Sequence, residues 1–120
     1  SLVKELSRKI QPYTVTVSFS LLEDKTKDPE IKAAHEAAKD KHLETARTMF
    51  LSAYERTDNF ECAYNAAIIT EALQEYDEAE RMMNDLYMKT YDKRASKALA
   101  QIKREKEYDA KLKLQNEKRR

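Results

Sequence analysis

The sequence predicts a mostly α protein: about two and a half helical hairpins, preceded by an N-terminal helix and a single β-strand. Three observations carry that expectation. The 120 residues include no glycine and only two prolines, Pro12 and Pro29. Positive φ is then hard to supply, which disfavours tight primed turns and glycine-rich phosphate loops. Ala, Glu, Lys, Leu and Arg dominate, and these are the strongest helix formers. Finally, Ala34, Ala67 and Ala100 sit 33 residues apart, as do Ala46 and Ala79.

In chain order, Leu2, Val3, Leu6 and Ile10 share one face of a short amphipathic helix over 2–10. Gln11-Pro12 stops it, because the residue before proline leaves the α region. Tyr13, Val15, Val17, Phe19 and Leu21 then alternate with Thr14, Thr16, Ser18 and Ser20, the period of a strand with one apolar face. No other segment reads as a strand. Its open backbone groups therefore call for pairing, either with a sheet upstream or with the same strand of a second molecule. Residues 1–22 are expected to be a helix–strand appendage, the end of an upstream domain or a dimerisation element. The chain starts in mid-pattern at Ser1, which points to a segment of something longer.

The helical domain is expected over 27–120. Asp28-Pro29-Glu30 opens its first helix with an N-cap, a proline at the first position and an acid in the first turn. Ile31, Ala34, Ala37 and Ala38 give that helix a narrow stripe to about Lys41. A second helix over 43–56 carries Ala46, Met49, Phe50, Ala53 and Tyr54. Thr57-Asp58-Asn59 breaks it, and Asp58 with Glu61 looks like a capping box. Helix 59–74 carries Phe60, Ala63, Ala66, Ala67, Ile69 and Leu73. Helix 77–89 carries Ala79, Met82, Met83, Leu86 and Tyr87. A last helix begins near Lys93 with Ala95, Ala98, Leu99 and Ile102. Residues 103–120 hold eight Lys/Arg against four Asp/Glu, so this half is expected to project into solvent.

The 33-residue echo extends beyond alanine: Phe50 matches Met83 and Ala53 matches Leu86. Alanine at a crossing lets two helix backbones approach, and a large residue one turn on fills the groove beside it. This period with two helices per unit resembles the tetratricopeptide repeat family. Glu75-Tyr76-Asp77-Glu78-Ala79 is the most specific match, and Asn65-Ala66-Ala67 resembles the first-helix signature. The match covers about 27–92 as two repeats, with 93–102 as the first helix of a third or a capping helix. Thr70 and Ala37 stand where the family often has tyrosine, and the proline after each second helix is absent.

The resemblance implies an α-α superhelix whose first helices line a concave, peptide-binding groove. It places His35 and Lys39 there from the first repeat, and Tyr64, Asn65, Ile68 and Glu71 from the second. Arg94, Lys97 and Gln101 follow from the last helix. Ile31 and His35 depart from the Lys and Asn that would complete a carboxylate clamp with Asn65 and Arg94. The front end also resembles the end of an α/β domain in bacterial cell-envelope lipoproteins of the curli-export kind. That likeness implies a periplasmic or outer-membrane-tethered parent.

Chemistry is sparse. His35 and His42 lie seven apart with no further ligand, and His35-Glu36-Ala37-Ala38-Lys39 has lysine where a zinc-protease helix needs its second histidine. No metal site, cofactor or catalytic set is expected. Cys62 reads as a buried structural thiol rather than a nucleophile. Net charge is only +1, so neither nucleic acid nor acidic lipid is favoured as a partner. No apolar run long enough to insert in a membrane occurs. The expected role is therefore a non-enzymatic scaffold for a protein or peptide partner. The alternative is an assembly module that dimerises through its strand and exposed repeat ends.

Overall fold

A computed structural model describes the backbone of residues 3–10 and 15–118 and the side chains of 19–118. Two strands come first, β1 (Val3–Ile10) and β2 (Val15–Leu22), followed by five helices: α1 (Pro29–Lys39), α2 (Leu43–Thr57), α3 (Phe60–Ala72), α4 (Tyr76–Thr90) and α5 (Lys93–Lys118). The mostly α class holds. Consecutive helices pack on one another, and β2 lies against α3.

The front of the chain corrects the sequence reading. Residues 3–10 are a strand, not a helix, so the described residues hold two strands rather than one. They pair antiparallel, with Val3 opposite Leu22, Leu6 opposite Phe19 and Ile10 opposite Val15. The helical reading rested on Leu2, Val3, Leu6 and Ile10, the last two of them four residues apart. That interval is also a multiple of two, so it keeps both residues on one side of a strand. The expected partner for β2 thus comes from this chain. Val15, Val17, Phe19 and Leu21 sit in the ladder, while Tyr13 lies outside the described residues.

Helix starts follow local chemistry. Asp28 caps α1, its carboxylate accepting from the amides of Glu30 and Ile31. Asn59, not Asp58, caps α3, and its side-chain oxygen accepts from the Glu61 amide at 2.9 Å. Asp58 instead ends α2 in the left-handed region at φ 56°.

The 33-residue interval is written into the backbone. Lys41 and Gln74 both turn left-handed, at φ 68° and 67°, and Asp58 and Tyr91 do so at 56° and 53°. His42 N–H donates to the Ala37 carbonyl, and Glu75 N–H to that of Thr70. The Thr57 hydroxyl donates to the carbonyl of Ala53, and the Thr90 hydroxyl to that of Leu86. α2 and α4 are each 15 residues long and begin 33 apart. The hairpins α1–α2 and α3–α4 are two copies of one backbone design.

Their core has the same period. Ala34 and Ala67, Ala46 and Ala79, and Phe50 and Met83 are all fully buried. Ala100 breaks the series: it is exposed. In α1 and α3 the next helix packs alongside, whereas no described helix follows α5. The outer half of α5 does not leave the fold as early as expected. Lys106 ion-pairs with Asp77 and Glu80 of α4, and Leu112 is buried.

Candidate functional site

α3 is the central element. Nine of its thirteen residues are buried, including the run 65–72, because α2, α4 and β2 all pack on it. A helix enclosed on so many sides is expected to be apolar all round, yet Asn65 lies in its middle and is completely buried. A buried primary amide needs partners for both of its ends. It finds them in one residue. The Leu22 N–H donates to Asn65 Oδ1 at 2.8 Å, and Asn65 Nδ2 donates to the Leu22 carbonyl at 2.7 Å.

This two-point clamp grips main chain and ignores the side chain between the two bonds. Sequence preference comes from its neighbours. Phe19 and Leu21 enter the same apolar core as the helices, and two residues past the clamp Asn59 Nδ2 donates to Asp24 Oδ1 at 3.0 Å. The first-helix side of the molecule therefore already holds an extended segment, its own β2.

The residues expected in a groove divide accordingly. His35, Asn65, Ile68 and Glu71 are buried. The His35 ring stands edge-on to Phe50 with centroids 5.0 Å apart. Lys39, Arg94, Lys97 and Gln101 are exposed. Tyr64 is half-buried and tilts against Phe60 at 5.9 Å, and the Arg94 guanidinium lies 4.4 Å from the Phe60 ring centre. Asp92 holds that guanidinium through an ion pair of 2.9 Å. Burial, with help from the Glu71 carboxylate, pushes the Tyr64 phenol above its ordinary pKa. Tyr64 and Arg94 are thus brought together at one ring, and Lys39 stands apart on α1.

Other candidates stay quiet. Among the described residues no group of His, Cys, Asp and Glu is arranged to hold a metal, and His42 is exposed in the α1–α2 turn. Cys62 is buried, and burial, followed by the nearby Asp24 and Asp28 carboxylates, pushes its thiol up to about 12. No described helix is long and apolar enough to cross a membrane.

Sequence reasoning singled out Asn65 but missed Leu22, its partner. The available signal was a lone amide inside the run Ala63-Tyr64-Asn65-Ala66-Ala67-Ile68-Ile69, which calls for a main-chain partner from elsewhere. Compared with known proteins, the chain matches no family model, no curated protein and no solved structure.

Proposed function

We propose that this chain is a non-enzymatic scaffold of the tetratricopeptide kind, about two and a half units of an α-α superhelix whose first-helix face holds polypeptide. The observation that carries it is the Asn65 clamp: a buried side chain on that face is already committed to an extended main chain. With β2 in place, the surface left for a partner is the ledge of Phe60, Tyr64, Arg94, Lys97 and Gln101. An amphipathic tyrosine beside a positioned cation suits an extended peptide with an aromatic or acidic residue.

Selection from a random-peptide phage library, with the full chain immobilised, tests this. The double variant Tyr64→Ala/Arg94→Ala is expected to stay folded by circular dichroism, with a lowered melting temperature because Tyr64 packs on the core, and to lose the selected peptides about a hundredfold, in line with two hot-spot truncations. Undiminished binding by that variant removes the ledge from the proposal. Asn65 is unsuitable for this purpose, because its substitution releases β2.

The second reading is the assembly module of a larger cell-envelope protein. The β1–β2 ladder favours it, since neither outer edge pairs with anything among the described residues and such edges extend sheets readily. A monomer in sedimentation at high concentration would count against it.

A further inference from the structure

Among the described residues, the ties from β2 to the helices lie within 19–24: Phe19 and Leu21 in the core, the Leu22 main chain on Asn65, and Asp24 on Asn59. The tie then ends abruptly. Lys25, Thr26 and Lys27 are exposed, and their neighbours Glu23, Asp24 and Asp28 line an open cleft of about 430 Å³ with Lys27, Ile31, Lys32 and His35. Lys27 sits in the left-handed region at φ 63°. A residue with a Cβ resists that conformation. One residue on, the chain is fixed again by the Asp28 cap and Pro29. Closing β2 back onto α3 of its own chain thus runs through a three-residue hinge with an unfavourable backbone angle at its end.

The geometry points to an exchanged dimer, in which the β1–β2 hairpin of one copy docks on α3 of a second copy, with residues 25–27 as the hinge. The occupant's chemistry is assured, because the second copy presents the same Phe19, Leu21, Leu22 and Asp24 to the same Asn59 and Asn65. Every docking contact is kept, and an extended hinge frees Lys27 from its left-handed angle in both chains. Exchange of an identical element is a low-cost route to dimers, and short strained hinges invite it. Opposing it is the effective concentration of a hairpin tethered to its own helices, of millimolar order for a short linker. Exchange therefore emerges when chains refold at about that concentration, and the hinge angle sets its extent. This inference requires only the β2 contacts and does not depend on the ledge that Tyr64 and Arg94 form.

The test uses the full chain carrying Asp24→Cys and Asn59→Cys, two side chains that touch in the native fold, with Cys62→Ala to remove the native thiol. After refolding at high and low concentration, mild oxidation and a non-reducing gel separate the two arrangements. A closed monomer links within one chain, and an exchanged dimer links between chains. In this background Lys27→Val, which disfavours the left-handed angle further, is expected to raise the covalent dimer about fivefold or more. Lys27→Gly, which accepts that angle, is expected to lower it by a similar factor. Links confined within single chains for all three hinges would overturn the proposal. So would a sedimenting dimer whose links are intrachain, because that dimer would associate by its outer edges instead.

Discussion

The two helical hairpins share a backbone but not a task. At three of the four caps the second repeats the first 33 residues later, down to the threonine that bonds back one turn just before Asp58 and Tyr91; the N-caps Asp28 and Asn59 are the exception. The faces differ. The position of Asn65 in α3 is held in α1 by Lys32, which is exposed, and in α5 by Ala98. The comparison teaches that capping geometry fixes the stack, while among the described residues the side chain that grips an extended main chain is found in one copy. A repeat can vary its face freely because the turns are held by backbone hydrogen bonds and small core residues that do not depend on it.

The largest test of that equivalence lies in the core. Phe50 and Met83 fill the same position and are both fully buried. Phe50→Ala is expected to cost about 3–5 kcal/mol and Met83→Ala about 2–5, by lost transfer energy plus the cavity left behind. Each should lower one shared urea transition, because α3 is packed by α2 and α4 together. Two separated transitions would show that the copies fold independently and break the comparison at its root. Next comes the clamp. Asn65→Ala removes two hydrogen bonds from a buried site and is expected to cost about 2–3 kcal/mol. Fast amide exchange should appear across residues 15–22. Lys32→Ala, at the matching position, should leave both stability and exchange unchanged.

How much of this was legible beforehand follows from the same contrast. The five helices, the Asp28 cap and the buried alanine pairs were readable because each has a local cause: a period, a proline, a capping side chain. The strand β1 was not, since Leu6 and Ile10 satisfy two periods at once and only pairing with Val15 to Leu22 decides between them. Ala100 was read as a third crossing, but nothing in its own surroundings reveals that no described helix follows. The clamp shows the limit most clearly. That Asn65 needed a partner could be inferred from its apolar neighbours, whereas the identity of Leu22, 43 residues away, is a property of the fold.

A smaller effect probes the turns. Lys41 and Gln74 hold matching left-handed positions after α1 and α3, where glycine is the usual residue. Lys41→Gly and Gln74→Gly should each stabilise by about 0.5 kcal/mol, the relief of the backbone angle reduced by glycine's greater freedom when unfolded. Equal gains would confirm that the two turns are energetically as well as geometrically alike. Tyr91→Gly is expected to gain less, because the Tyr91 ring packs edge-on against Tyr87 at 5.7 Å. Thermal melts of the three variants decide the ranking.

The subtlest contrast is electrostatic. Arg56 and Lys89 are 33 apart at the ends of α2 and α4, yet they point their charge in different directions. Arg56 reaches Asp28 at 2.8 Å and Glu30 at 3.1 Å, closing its own hairpin. Lys89 reaches back to Asp58 and to the Tyr54 hydroxyl, joining its hairpin to the one before. The hydrogen bond from Arg56 holds the Asp28 carboxyl below its ordinary value of 3.8, and the one from Lys89 does the same for Asp58. A carboxyl whose pKa is lower when folded contributes stability that is fully present above that ordinary value. The contribution is lost as pH falls through the folded value. Acid unfolding followed by circular dichroism should therefore steepen below pH 3.8, and Arg56→Ala and Lys89→Ala should each flatten that slope. Amide exchange then separates the two roles. Arg56→Ala should loosen only the start of α1, whereas Lys89→Ala should loosen the ends of both α2 and α4. If both variants loosened a single hairpin, these two cations would be equivalent after all, and the junction between repeats would rest on apolar packing and on the bonds from Arg47 to Thr70 and Glu75.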